Sequence, residues 1–206
     1  DLIIRFKNSP DDQITVKNYF SDYYGIDQAN DYAIERIEFT DSKAVLTAKD
    51  IIAQARIRHG TAKDDYIYGL TDNGNDTLIG GKGNDYLRGG YGNDTYIFSK
   101  GDGKDTIEDY DSTKGNLDTI RFGAGIKPAD LIFKDVNNNL QISQHGSTDS
   151  VTVNSWQYGK SYQIENVRTA NGSMITNTQV DKLIQAMATF QNDTGMSWDQ
   201  ALKSQP

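Results

Sequence analysis

The sequence predicts an all-β chain centred on a parallel β-roll, a right-handed solenoid flanked by antiparallel β caps, with short helices at about 48–57 and 179–191. Three observations carry that expectation. Residues 80–97 hold two contiguous nonapeptides rich in glycine and aspartate, and four degenerate copies surround them. The flanking stretches alternate apolar and polar residues with the period of a strand. Two segments outside the repeats begin with a helix-capping pattern and carry apolar residues three and four apart.

The first element is strand-like, with Leu2, Ile4 and Phe6 on one face. A chain that opens this way reads as a piece of something longer. Next, Thr47 and Asp50 form a capping box ahead of Ile51, Ile52 and Ala55, which starts the first helix.

The repeats follow. Residues 80–88 (GGKGNDYLR) and 89–97 (GGYGNDTYI) fit G-G-x-G-x-D-x-U-x, with Leu87 and Tyr96 at the apolar eighth position. This pattern is a known signature of calcium-binding β-helix repeats. Degenerate copies occupy 60–68, 71–79, 100–108 and 113–121. Asp76, Asp85 and Asp94 are nine residues apart, whereas eleven separate Asp65 from Asp76 and Asp94 from Asp105. Asp118 stands in the last and most degenerate copy.

Beyond the repeats, Asn137-Asn138-Asn139 reads as a hairpin turn before Leu140 and Ile142, and Val151/Val153 as a half-buried strand. Residues 2–16 resemble 140–153, and 32–37 resemble 162–167, so a longer repeat surrounds the short one. The second helix is expected from a capping box at Thr178 and Asp181, with Val180, Leu183, Ile184, Met187 and Phe190 on its buried face and Gly195 as its stop. Ser197 and Gln200 can cap a last turn carrying Trp198 and Leu202.

The nonapeptide spacing suits a hard cation. Calcium takes six to eight oxygen ligands. Glycine at positions one, two and four lets the backbone turn sharply and aim carbonyl oxygens inward, and the aspartate at six adds a carboxylate. Two nonapeptides make one turn of the roll, so loops stack on every second repeat. Loops at 60, 80 and 100 share one edge, and those at 71, 89 and 113 the other. The candidate ligand residues are Gly60, Asp65, Asn73, Asn75, Asp76, Gly80, Lys82, Asn84, Asp85, Gly89, Tyr91, Asn93, Asp94, Asp102, Asp105 and Asp118. They predict roughly three or four calcium ions. Stacked carboxylates repel without metal, so binding and folding should be one event.

Composition agrees. Hydrophobic residues make up 36% of 206, low for a chain held only by an apolar core. With 21 basic and 29 acidic residues the formal charge is −8, which disfavours nucleic acid as a partner and favours cations. There is no cysteine, which suits a secreted protein stabilised by metal. No stretch approaches the roughly 20 apolar residues of a membrane span.

Catalytic patterns are absent. His59 and His145 stand far apart and read as surface residues, and neither H-E-x-x-H nor G-x-S-x-G occurs. Asp109 and Asp111 look like the start of an EF-hand loop, but Gly115 comes one place late and no Glu holds the twelfth position. Tyr110 and Trp156 read as packing aromatics. The chain is expected not to be an enzyme in itself.

Over its whole length the chain resembles the RTX (repeats-in-toxin) proteins, most strongly in the nonapeptides at 71–97. The run from Tyr96 to Ile107 looks like the usual end of an RTX block, and Asp118–Phe122 with 131–176 looks like the haemolysin-type calcium-binding related segment that follows one. Residues 180–190 are similar to the end of the last block in adenylate cyclase toxin. The resemblance divides the chain into a tail or cap of a preceding RTX unit (1–57), a calcium-binding β-roll (58–121), a C-terminal β cap (122–177) and a helical segment (178–206) that is a candidate secretion-signal region. It implies export by a type I secretion apparatus, an extracellular location and folding on calcium outside the cell. A calcium-dependent folding module of a large toxin is the first reading, monomeric as a fragment. A stiffened segment of an RTX adhesin, or the C-terminal domain of a secreted lipase or protease, is the alternative. The residues before Pro10, Pro128 and Pro206 are Ser, Lys and Gln, so the Asp-Pro self-cleavage of some relatives is not encoded here.

Overall fold

The computed structural model describes residues 2–6, 9–16, 36–38, 45–70 and 72–204. They fall into two units, 1–56 with 70–72 and 57–69 with 73–206.

In the first unit β1 (Leu2–Phe6) and β2 (Ser9–Val16) form an antiparallel hairpin with a bulge between Arg5 and Phe6. Ile4 is half-buried and Ile3 exposed, as the alternation requires. A second antiparallel pair joins β3 (Arg36–Glu38) to β4 (Val45–Thr47), and α1 (Ala48–Ala55) follows. The capping box is present: Asp50 N donates to Thr47 Oγ1 at 3.3 Å and Thr47 N to Asp50 Oδ2 at 2.9 Å. The Arg56 guanidinium pairs with the Asp72 carboxylate. Of the internal copy at 32–37, residues 32–35 lie outside the described residues. The helix expected over 48–57 stops at Ala55, because Ile57 enters a strand.

The second unit is mostly β. Its repeat region contributes β5 (Ile57–His59), β6 (Tyr66–Tyr68), β7 (Thr77–Ile79), β8 (Tyr86–Arg88), β9 (Thr95–Phe98), β10 (Lys104–Ile107) and β11 (Thr119–Phe122). The tail adds β12 (Leu131–Val136), β13 (Asn139–Gln144), β14 (Ser150–Val153), β15 (Asn166–Arg168), β16 (Met174–Thr176), α2 (Asn177–Thr194) and α3 (Trp198–Lys203). Consecutive repeat strands fall in opposite sheets. One sheet has the order β6-β8-β10-β14-β13-β12, the other β5-β7-β9-β11-β15-β16.

Within each sheet the repeat strands are parallel, and their register aligns the apolar eighth positions. Ile67 lies opposite Leu87, Leu87 opposite Ile107, and Ile107 opposite Val153. In the other sheet Leu78 aligns with Tyr96, Tyr96 with Ile120, and Ile120 with Val167. These two ladders lie in one core cluster with Phe98, Phe122 and apolar residues of the tail, and each buried aliphatic side chain contributes about 1.5–3 kcal/mol. The tail therefore does more than add antiparallel strands: β14 and β15 continue the parallel stacks on β10 and β11.

The hairpin between β12 and β13 turns at Asn137 and Asn138, whose φ of 54° and 67° fit a two-residue turn. Trp156 is fully buried, and its indole N–H donates to Asp181 Oδ1 at 2.9 Å. That bond explains one correction. The cap of α2 is not Thr178 with Asp181 but Thr176 with Gln179, two residues earlier, because the Asp181 carboxylate is committed to Trp156. The helix also runs past the expected 179–191, from Asn177 to its stop at Gly195, and buries Val180 with Leu183, Ile184 and Met187 packed on the core. Ser197 caps α3, where Phe190 packs on Trp198 and Asp199 bonds His145 at 2.8 Å.

Candidate metal centre

Because consecutive strands alternate between sheets, the loops between them line up along two edges. Loops 60–65, 80–85 and 99–103 form one edge, and residues 73–76 with loops 89–94 and 108–118 the other. Each edge carries a column of sixth-position aspartates that lean on one another. Asp65 N donates to Asp85 Oδ1 and Asp85 N to Asp105 Oδ1, both at 2.9 Å. On the second edge Asp76 N donates to Asp94 Oδ1 at 2.7 Å, Asp94 N to Asp118 Oδ1 at 2.8 Å, and Asp118 N to Glu165 Oε2 at 2.8 Å. One oxygen of each inner carboxylate is thus tied to the backbone of the loop before it. The other is left over: Asp85 Oδ2 and Asp94 Oδ2 are buried with no hydrogen-bond partner.

A glycine at position one is required by this arrangement. A Cβ on Gly80 would stand 2.3 Å from Asp85 Oδ2, and one on Gly89 2.1 Å from Asp94 Oδ2. A Cβ on Gly60, at the start of the outermost loop, would stand 2.1 Å from the Gly80 carbonyl oxygen.

The fifth-position residues run a second ladder in the opposite sense. Asn84 N donates to Asp64 Oδ1, Lys104 N to Asn84 Oδ1, Asn93 N to Asn75 Oδ1 and Leu117 N to Asn93 Oδ1, at 2.7 to 3.0 Å. The side-chain oxygens of Asn75, Asn84 and Asn93 are therefore engaged in holding loop on loop. Asn73, Lys82 and Tyr91 are exposed. Asp65, at the outer end, is half-buried, and Thr61 N–H and hydroxyl bonds to its Oδ2 hold its carboxyl below the usual range. Asp102 accepts from Ser99 N at 2.6 Å, and burial raises its pKa.

The electrostatics of the inner aspartates is that of a charge trap. Burial pushes Asp94 up to about 7, helped by the neighbouring carboxylates of Asp109, Asp76 and Asp111. Asp105 is pushed to about 7 by burial, with Asp85, Asp102 and Asp149 adding to it. Asp85 is raised for the same first reason. Asp118, buried beside Asp109, is raised to about 9. Carboxylates this deep persist as anions only when a cation or a proton joins them.

Sequence reasoning missed several members of this centre. Asp109 and Asp111, set aside as a failed EF-hand, are both buried on the second edge. Glu165 and Asp149 come from the tail and bond the last loop of each edge, Asp149 Oδ2 accepting from Gly101 N at 2.7 Å. Asp109 had one faint signal: it takes the first-position slot directly after the copy at 100–108.

The donor set of buried carboxylate oxygens, with those of Asp85, Asp94 and Asp109 unpartnered, fits a hard divalent cation. Comparison with known proteins gives that fit a family. The RTX calcium-binding nonapeptide repeat, in four copies, matches residues 70–107. The haemolysin-type calcium binding protein related domain matches residues 1–46 and again 139–179, the two stretches that contain the internal likeness of 2–16 to 140–153. The iron-regulated protein FrpA of Neisseria meningitidis serogroup C is 40% identical over 94 residues, 44% of this chain and 8% of FrpA. The chain thus aligns with under a tenth of that relative's length. The chain thus carries the RTX calcium-binding nonapeptide repeats, flanked on both sides by segments that match the haemolysin-type calcium binding protein related domain.

Proposed function

We propose that this chain is a calcium-triggered folding module, in which the stacked repeats form a right-handed β-roll of a large secreted protein. The observation that carries the reading is the column of buried aspartates, each with one oxygen tied to a neighbouring loop and, at Asp85 and Asp94, the other left without a partner. The residues that would hold calcium are Asp76, Asp85, Asp94, Asp105 and Asp118, with loop carbonyls. Calcium supplies the positive charge that lets these carboxylates stay ionised while buried. In a low-calcium cytosol the repeats stay unfolded and suit passage through a type I secretion channel. Outside, where calcium is plentiful, they fold from the tail inward. The role is structural rather than catalytic. The short share of FrpA that aligns supports a place within a long, multi-block chain, and a toxin is the parent we favour.

A calcium titration followed by circular dichroism tests this. β signal should be low in chelator and rise cooperatively with calcium, and magnesium, which prefers a small octahedral shell with retained water, should not replace it. Asp94→Ala should raise the calcium midpoint at least about tenfold, and Asp65→Ala, at the half-exposed outer end, much less. Equal spectra with and without calcium would refute the reading.

A further inference from the structure

One end of the second edge differs from the repeats. The nonapeptides supply one buried carboxylate per loop, but the 108–118 loop supplies more. Asp109 and Asp118 come together there with Asp94 from the loop below, and one carboxylate oxygen of each lies within 4.8 Å of the other two. All three residues are 2% exposed or less. The group is built into the backbone. Asp109 Oδ1 accepts from Gly90 N at 3.2 Å, and Asp111 Oδ2 accepts from Gly92 N at 3.1 Å, so two carboxylates clip the long loop to the 89–94 loop. Asp118 Oδ2 accepts from Asn116 Nδ2 at 2.6 Å. Tyr96 is fully buried, and its hydroxyl accepts from Gly89 N at 2.8 Å.

What remains points to a ligand. Asp94 Oδ2 and Asp109 Oδ2 are buried with no hydrogen-bond partner, and so is Asn116 Oδ1 in the same loop. The charges acting most strongly on Asp94 and Asp118 include that of Asp109 itself. Three carboxylates facing each other across so short a span need a cation to stay ionised together.

We infer that Asp109 joins the repeat aspartates Asp94 and Asp118 as a third carboxylate at one calcium site, which fills first and holds its ion most tightly. The inference rests on the calcium reading of the repeats and adds a ligand, Asp109, that the nonapeptide pattern does not contain. Two physical reasons set the order. Calcium affinity grows with the number of charged ligands and the rigidity of the site, and here three carboxylates are fixed by backbone bonds. The site also sits where Asp118 N bonds Glu165 of the tail, so it forms on the part of the repeat region that the tail already orders.

Isothermal titration of the whole chain with calcium chloride, after removal of bound metal, tests the order. The wild type should bind one ion at least about tenfold more tightly than the rest. Asp109→Asn should lose that tight ion and keep the weaker ones, whereas Asp85→Asn, on the other edge, should keep the tight ion and weaken the others. An Asp109→Asn isotherm equal to the wild type overturns the inference while leaving the repeat reading intact. A wild type that binds no calcium sinks the repeat reading itself. Should Asp109→Asn not fold even in saturating calcium, terbium ions decide. The first equivalent added to the native chain should emit through Tyr96 and lose that emission in Tyr96→Phe, and undiminished emission there overturns the assignment.

Discussion

A chain that ends at residue 122 is expected to stay unfolded at a calcium concentration that folds the whole. Cutting there removes β14 from β10 and β15 from β11, and with them the bonds from Ser150 N to the Gly103 carbonyl, Asn154 N to Ile107 and Asn166 N to Asp118. Ile107 and Ile120, fully buried in the whole chain, lose Val153 and Val167 from their ladders. The carboxylates of Asp149 and Glu165 leave the last loop of each edge. Ordering glycine-rich loops costs about 1–2 kcal/mol of backbone entropy per residue, so the first turn needs a template on which to stack. In the proposed reading the tail supplies it, and its Leu131, Phe133, Leu140, Ile142 and Trp156 are buried in one cluster with the repeat ladders. Circular dichroism across a calcium titration of both chains measures the effect. Equal midpoints would mean that the tail is a bystander. A milder version is Trp156→Ala, which removes a buried indole at a cost of about 3–5 kcal/mol and should raise the calcium midpoint without touching a ligand.

Acid should do part of calcium's work. In calcium-free buffer the repeat region is expected to be more stable at pH 5.5 than at pH 9. Asp94 and Asp105 sit at about 7 and Asp118 at about 9 in the folded chain, burial being the first cause, against about 3.9 for an unfolded aspartate. A folded pKa above the unfolded one means that the folded state binds more protons between those values. Stability from protonation is then complete below about 4 and is lost as pH rises through 7 and 9. Ionising a carboxyl held at 7 costs about 4 kcal/mol, so two such groups outweigh much of an ordinary domain's stability. With calcium present the sign reverses in the binding: protons compete for the same oxygens, and the calcium midpoint should rise as pH falls below 7. Thermal melts without calcium between pH 5.5 and 9 read the first effect. A melting temperature that is flat or climbs with pH would contradict it.

The features legible in the sequence are those written locally. The eighth-position ladder could be read because Leu78, Leu87 and Tyr96 recur every nine residues, and the two loop edges followed from alternation between sheets. The Asn137-Asn138 turn and the Thr47–Asp50 cap are decided within four residues. Long-range partners leave no such trace. Glu165 meets Asp118 across 47 residues and Asp149 meets Gly101 across 48, so neither spacing marks them as part of the centre. The parallel seating of β14 and β15 was hidden for the same reason, since Val151/Val153 alternation fits parallel and antiparallel neighbours alike. Asp109 fails as an EF-hand start, and its first-position slot follows a degenerate copy, so the repeat pattern does not mark it. The cap of α2 slipped because Thr176-x-x-Gln179 and Thr178-x-x-Asp181 are equally plausible until Trp156 claims Asp181.

Hydrogen exchange of the repeat amides tests the central claim most directly. Peptides covering residues 60–70, 80–94 and 99–118 should exchange at the rate of an unfolded chain in chelator at neutral pH. In calcium they should be protected together, including the amides of Asp65, Asp85 and Asp94 that bond the next carboxylate in the column. Protection that is the same in chelator and in calcium would contradict the account, because the buried aspartates would then be tolerated without a cation.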